Sequence, residues 1–345
     1  MQDTRCKVPG HPRKWVVKLE SCNLNFVIRD ILNWAAEYLK SLNIPSARLD
    51  SEVLLSFVLN KDRTYLYTNS EKPILPEEHK KFKELIERRG RREPLSYITG
   101  CKEFWSLNFK VTQDTLIPRP ETEILVQAVL DIIRGNNPPS PPFSKGGKRG
   151  NNILDIGAGS GNIAVSIAIK LPDSHIFAVD KSDSALSVAK ENAIIHNVAG
   201  RITFLKGDLY IPFNPHTSPL TSPFSPPSEG GEREVVKGGE GGLFDIIVSN
   251  PPYIPTGDIE GLMPEVRDWE PKWALDGGKD GLEIIRKIIK DAPLFLESGG
   301  FIAMEIGFGQ SEKVSRIISD TDKFHNIKMI KDLSGIKRIV TAWKR

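Results

Sequence analysis

Four consecutive residues, Asn250-Pro251-Pro252-Tyr253, follow the apolar run Asp245-Ile246-Ile247-Val248. A run of that kind reads as a buried strand, which puts the four residues at its carboxyl end, where open α/β sheets bind ligands. Successive prolines fix φ and remove donors, leaving a rigid turn rich in acceptors. Asn250 adds a side-chain carbonyl and Tyr253 a flat aromatic face. The set suits a planar –NH2 group, with two acceptors taking its N–H bonds while a ring packs on its plane. The nitrogen of an amide or exocyclic amine delocalises its lone pair and is a poor nucleophile. Accepting its hydrogens raises electron density on nitrogen and aims the lone pair at an electrophilic methyl, so that transfer depends on positioning and preorganised dipoles. The bland alternative is a structural loop that happens to carry these four residues.

A second group lies upstream in Leu154-Asp155-Ile156-Gly157-Ala158-Gly159-Ser160-Gly161-Asn162. Glycines at a strand-to-helix turn let the backbone turn tightly and approach a ligand, while the helix N-terminus supplies free N–H groups. The spacing is G-x-G-x-G; a dinucleotide fingerprint needs glycine where Asn162 stands, which weighs against a nicotinamide cofactor. Asp180 ends the next strand, 19 residues after Gly161, where a carboxylate can accept both hydroxyls of a ribose. Such a diol belongs to adenosine cofactors generally, S-adenosylmethionine included. The competing role for Asp180 is to cap the helix that begins near Ser182. After the third strand, Gly207-Asp208-Leu209-Tyr210 would flank an adenine ring, with Asp208 near its amino group and Leu209 against its face.

These residues need a scaffold. Strands fit 153–156, 175–179, 202–205, 244–248, 300–305, 327–330 and 336–342, and helices fit 121–134, 162–171, 183–197, 281–292 and 309–319. Alternation of this type means a mainly parallel sheet covered on both faces, and the last two strands are close enough to pair as an antiparallel hairpin. Upstream, residues 103–112 alternate as a strand or hairpin; Phe104 and Trp105 there read as core or as a base-stacking pair. Residues 24–90 read as a small helical bundle. Ile28, Ile31, Leu32, Ala35, Leu39 and Leu42 share one face; Leu49, Val53, Leu54, Phe57 and Val58 form a second, capped by Ser46; Phe82, Leu85 and Ile86 point inward from a third.

Residues 136–151 and 213–242 break the pattern with dense proline and glycine, and they share a Ser-Pro-Phe-Ser-like run before Gly-Gly, as copies of one element would. Without periodic apolar residues they read as disordered inserts or as Pro-rich docking segments. Residues 1–23 form a basic extension lacking the apolar core of a signal peptide. The loop Ala274–Gly281 either borders the site or merely leads into a helix.

At 345 residues the chain is long enough for about two domains. With 47 basic against 44 acidic residues the net charge is +3, without the basic stripe of a nucleic-acid binder. Cys6, Cys22 and Cys101 are too few for a disulfide framework or metal site, and the six histidines show no ligand spacing. No apolar stretch reaches a membrane span, so a reduced, cytoplasmic protein is expected.

The residues resemble the protein-(glutamine-N5) methyltransferases from about 24 to 344, inserts excepted. The carriers are Glu93-Pro94-Leu95-Ser96-Tyr97-Ile98-Thr99-Gly100, Glu103-Phe104-Trp105, Leu116-Ile117-Pro118-Arg119-Pro120-Glu121-Thr122-Glu123, the glycine loop, Asn250–Tyr253 and Glu305-Ile306-Gly307. The resemblance implies an α/β fold: a seven-stranded Rossmann-like class I methyltransferase sheet (121–345), with a small N-terminal helical domain (24–95) joined to it by a β-hairpin linker (96–120). It implies that Gly157, Ala158, Gly159, Ser160, Gly161, Asp180, Leu209 and Asn250 contact S-adenosyl-L-methionine. Leu209 stands where relatives often carry an aromatic residue. Asn250, Pro251, Pro252 and Tyr253 would hold and activate the glutamine of a Gly-Gly-Gln motif on a class I peptide chain release factor, with no metal and with the enzyme a monomer. Two neighbouring activities use similar turns: methylation of a ribosomal-protein glutamine, and of an exocyclic amino group in DNA or RNA. A nicotinamide-dependent dehydrogenase is the distant rival and leaves Asn250 without a role.

Overall fold

A computed structural model describes residues 26–135, 150–213 and 243–345. The expected N-terminal extension and both Pro/Gly-rich inserts, apart from their edge residues, lie outside these. The chain divides into two compact units between Thr99 and Gly100.

The first unit is helical: α1 (Ile28–Ser41), α2 (Ala47–Leu59), α3 (Arg63–Thr68), α4 (Pro76–Gly90) and α5 (Leu95–Thr99). Ile28, Ile31, Leu32, Ala35 and Leu39 of α1 are buried as their period requires, and so are Phe82, Leu85 and Ile86 of α4. Helix α2 departs from expectation. Leu49 and Phe57 are exposed, whereas Asp50, Ser51 and Glu52 are buried. The cause lies in partners distant in sequence: Arg89 Nε of α4 donates to Asp50 Oδ2 at 2.7 Å, and Glu52 accepts from Arg48, Arg63 and Tyr67. Buried charges are tolerated when paired and hydrogen-bonded, so this face turns inward although its sequence is polar. Ser46 does not cap α2 through its side chain; its hydroxyl donates to Asp50 Oδ2 at 2.9 Å. Helix α3 is short but well started, with Asp62 accepting from the Tyr65 N–H.

The second unit begins with a two-stranded hairpin, β1 (Cys101–Phe104) and β2 (Leu107–Lys110). Its tight turn places Trp105 and Ser106 at φ +55° and +57°, the left-handed geometry of a type I′ turn without the usual glycine or asparagine. Glu123 stabilises it by accepting from the Trp105 N–H at 2.7 Å. Phe104 and Phe109 are buried in the core and Trp105 packs half-buried against it, so these aromatics are packing residues.

The large sheet comprises β3 (Asn152–Ile156), β4 (His175–Asp180), β5 (Ile202–Lys206), β6 (Phe244–Ser249), β7 (Leu296–Glu305), β8 (Phe324–Lys331) and β9 (Lys337–Lys344), in the order β5-β4-β3-β6-β7-β9-β8. The first five strands of that order run parallel, and β9 is antiparallel to both of its neighbours. Side chains alternate between two cores. Ile153, Ile246, Val248, Phe301 and Ala303 meet α6 (Pro120–Ile133) and α7 (Asn162–Lys170) on one face. Leu154, Ile156, Ile247, Ile302 and Met304 meet α10 (Glu283–Phe295) and α11 (Ser311–Ser319) on the other. Between these pairs come α8 (Asp183–Ile195) and the one-turn α9 (Pro264–Arg267). Burial on both faces is why the strands read as continuous apolar runs. Chain order reverses between β3 and β6, so a crevice opens beyond their carboxyl ends, the usual ligand position in such sheets. No helix among the described residues is long and apolar enough to cross a membrane.

Candidate active site

A cleft with about 760 Å³ of space, its open mouth included, lies at that reversal. Ile156, Gly157 and Gly159 line it at the end of β3 and just beyond, and Val179 and Asp180 at the end of β4. Asp208 and Leu209 follow β5, and Asn250, Pro251 and Pro252 follow β6. Residues marked in the sequence at four strand ends thus meet around one space: Gly157, Gly159, Asp180, Asp208, Leu209, Asn250, Pro251 and Pro252.

The glycine loop explains its own composition. Gly157 and Gly159 have φ +76° and +54°, and a Cβ on Gly157 would find open space within 4 Å. Glycine is needed there for backbone conformation, and the bare peptide lets a ligand come close. The neighbouring Ala158, Ser160 and Gly161 do not line the cleft. Ala158 and Ser160 are buried, and Gly161 starts α7 with its Cα against Ala189. Their packing is one support of the loop. Asn192, which had no sequence signal, is another: its Nδ2 donates to the Ser160 and Lys110 carbonyls at 2.8 and 2.9 Å, and its Oδ1 accepts from the Lys110 N–H. One buried amide thus ties the hairpin, α8 and the glycine loop together.

Asp180 accepts from the Gly159 N–H through Oδ2 and from the Ser182 N–H through Oδ1, each at 2.9 Å. The helix cap is Ser182, whose hydroxyl accepts from the Ala185 N–H, so Asp180 itself is not the cap. Each carboxylate oxygen keeps lone-pair capacity toward the cleft. Leu209 lines the cleft at φ +52°, an uncommon backbone state for leucine.

The Asn250–Tyr253 turn is held from behind. Gly277 approaches so closely that a Cβ there would come within 2.8 Å of the Pro252 carbonyl oxygen and the Tyr253 Cα. Ile254 pairs with Leu275 and Gly277 through backbone hydrogen bonds, and Gln310 Nε2 donates to the Tyr253 carbonyl at 2.9 Å. The loop Ala274–Gly281 therefore borders the site, with Trp273 and Ala274 in the cleft wall. Buried Glu270 anchors the same region, accepting from Arg119 and from the Ile117 N–H. Burial raises its pKa against the pull of Arg119.

Tyr253 does not line the cleft. Its hydroxyl donates to Glu305 Oε1 at 3.1 Å, and burial, then the Glu305 charge, raises its pKa strongly. Glu305 Oε2 accepts from the Thr122 hydroxyl at 2.6 Å, and Asn250 Nδ2 donates to Thr122 Oγ1 at 2.9 Å. Neither Thr122 nor Glu305 stood out in the sequence, beyond lying in Pro120-Glu121-Thr122-Glu123 and Glu305-Ile306-Gly307.

A second buried carboxyl, Asp155, sits below the glycine loop. Its Oδ2 accepts from the Ala164 N–H at 3.1 Å, while Oδ1 has no hydrogen-bond partner among the described residues. Burial pushes its pKa up to about 7, with nearby Asp180 adding to the shift. A carboxyl raised on folding binds its proton more tightly in the native state, so its contribution to stability falls as pH rises from about 4 to about 7. Asp155→Asn is expected to stabilise the fold at pH 8 by about 1–3 kcal/mol. The ionisation penalty, on the order of 4 kcal/mol, is partly offset by an amide group left unsatisfied, about 1–3 kcal/mol. Denaturant melts at pH 4 and pH 8 check this: the gain should vanish at the lower pH.

Comparisons with known proteins agree with this architecture. Residues 30–100 match the PrmC N-terminal domain and residues 147–211 a methyltransferase domain. The release factor glutamine methyltransferase of Geobacter sulfurreducens is 40% identical over 315 residues, spanning 91% of this chain and 96% of the relative. That of Clostridium botulinum is 38% identical, spanning 92% and 99%, and that of Thermodesulfovibrio yellowstonii 37%, spanning 86% and 92%. The seven-stranded sheet with its reversal-point cleft is a class I methyltransferase fold, and the chain belongs to the release factor glutamine methyltransferase family.

Proposed function

We propose that this enzyme transfers the methyl group of S-adenosyl-L-methionine to the side-chain amide nitrogen, N5, of the glutamine in the Gly-Gly-Gln motif of class I peptide chain release factors. The observation that carries the reading is the Asn250 side chain, whose nitrogen is engaged by Thr122. That leaves its oxygen as an acceptor beside Pro251 and Pro252 in a cleft that also holds Asp180.

The residues present fit the cofactor. The bare peptides of Gly157 and Gly159 leave room for a ligand against the loop. Asp180 keeps acceptor capacity for a ribose diol, and Leu209 offers an apolar face for a purine. When bound, the cofactor supplies an electrophilic sulfonium methyl. Asn250 Oδ1 and a backbone carbonyl of the proline turn accept the two N–H bonds of the target amide, leaving the nitrogen lone pair directed along the transfer line. Preorganised acceptors of this kind need no reorganisation as charge develops on nitrogen. No strong base is required, because the methylated amide loses its extra proton readily once formed. Such a substrate is met in the cytoplasm.

Methyl-labelled cofactor offered together with a full-length release factor, its Gly-Gly-Ala variant, ribosomes, DNA and RNA tests this. Label is expected in the Gly-Gly-Gln release factor alone. Labelling of ribosomal protein or of nucleic acid, with the release factor untouched, would replace the reading by one of its neighbours.

A further inference from the structure

We propose that Thr122 and Glu305 form a positioning relay that fixes the Asn250 amide with its oxygen toward the cleft, so that Asn250 can only accept hydrogen bonds from the target. This deepens the glutamine-amide reading and rests on it. The argument is one of donor and acceptor capacity. An ionised carboxylate accepts and cannot donate, while a threonine hydroxyl has one hydrogen and two lone pairs. Glu305 draws that single hydrogen along the 2.6 Å contact from Thr122 Oγ1 to its Oε2. Thr122 then has only lone pairs left for Asn250, 2.9 Å away. An amide nitrogen satisfies them, whereas a flipped amide would set oxygen against oxygen. Thr122 and Glu305 are each 1% exposed, so water is shut out as a substitute partner.

The three residues come from separate elements: Thr122 from the first turn of α6, Glu305 from the end of β7, and Asn250 from the turn after β6. Neither Thr122 nor Glu305 lines the cleft. They act through Asn250 and are not catalytic residues. Tyr253 donates to the other Glu305 oxygen and strengthens the acceptor-only state.

The carboxyl of Glu305 faces Thr122 and Tyr253, Glu121 on α6 and Arg338 on β9; Arg119 lies close enough to act on Tyr253. Burial raises its pKa to about 7, against the hydrogen bonds from Thr122 and Tyr253; Glu121 adds to the rise and Arg338 opposes it. Once protonated on Oε2, Glu305 can donate to Thr122, whose hydrogen is then released toward Asn250 Oδ1, and the amide is no longer held in one orientation.

The test is a double-mutant cycle on single-turnover transfer to a release factor. Thr122→Val is expected to slow transfer about tenfold, as loss of about 1.4 kcal/mol of positioning would, with cofactor affinity changed less than about twofold. Thr122→Ser, which keeps the hydroxyl, retains most of the rate. In an Asn250→Ala background the same Thr122→Val change costs almost nothing more, because the group it acts through is gone. The wild-type rate falls as pH drops through about 7, and Thr122→Val removes that limb. The relay is overturned if Thr122→Val costs the same factor in both backgrounds, if Thr122→Ser is as slow as Thr122→Val, or if the wild-type profile is flat across that pH. Wild-type turnover by Asn250→Ala alone would instead overturn the underlying glutamine-amide reading, and the relay with it.

Discussion

Asn250→Ala is expected to lower single-turnover methyl transfer about 10²–10³-fold, the effect of removing one preorganised partner of a developing charge, ~2.7–4 kcal/mol. The size follows from the proposed role, in which Asn250 Oδ1 accepts from the target amide while its Nδ2 is already engaged by Thr122. Alanine removes the acceptor and leaves the rest of the turn in place, because the backbone there is held by Pro251, Pro252 and the pairing of Ile254 with the 275–277 segment. The fold should therefore survive, and melting temperature should change little. Cofactor affinity should fall much less than turnover, since the ribose and loop contacts proposed for it belong to Asp180 and the glycine loop, at the ends of β4 and β3. Stopped single-turnover assays with labelled cofactor, beside calorimetric titration of the same protein, separate the two quantities. Equal losses in affinity and turnover would make Asn250 a cofactor ligand and nothing more.

Asp180→Ala should show the opposite split. Loss of two charge-assisted hydrogen bonds to a ribose diol, each contributing roughly 1.5–3 kcal/mol, is expected to weaken S-adenosylmethionine binding by about 10²-fold or more. The carboxylate also holds the Gly159 and Ser182 N–H groups, so part of the loss comes through a looser glycine loop. Asp180→Asn tells these apart. An asparagine keeps one oxygen for one of the two N–H groups, and it should fall between wild type and alanine. Saturating cofactor should restore much of the turnover of Asp180→Ala but none of that of Asn250→Ala. A dissociation constant unchanged in Asp180→Ala would confine the residue to shaping the loop.

Much of this was legible in the residues because sheet and site share one cause. Strands buried on both faces must be apolar runs, and 153–156 and 244–248 stand within one residue of Asn152–Ile156 and Phe244–Ser249. Asp180 and Asn250 stand where those runs stop, the place at which such sheets bind ligands. Other features depend on partners that periodicity does not reveal. The buried face of α2 is polar because Arg89 lies 39 residues away from Asp50. Strand β7 begins at Leu296, four residues ahead of the 300–305 run. The hairpin turn at Trp105-Ser106 takes left-handed backbone without a residue that advertises it. Thr122 and Glu305 are separated by 183 positions, and each alone reads as a helix-start threonine and an ordinary strand-end acid. The Tyr253 hydroxyl is committed to Glu305, 52 positions away, a tie that supports the turn and that the aromatic residue alone does not announce.

The central claim, that the acceptor is a glutamine amide, is tested most directly by tandem mass spectrometry of a class I release factor after incubation with this enzyme and S-adenosylmethionine. The predicted result is a single added methyl group on the peptide bearing Gly-Gly-Gln, with fragment ions placing it on the glutamine side chain and none on the Gly-Gly-Ala variant. An unmodified glutamine, or a methyl group located on any other residue of that peptide, would contradict it.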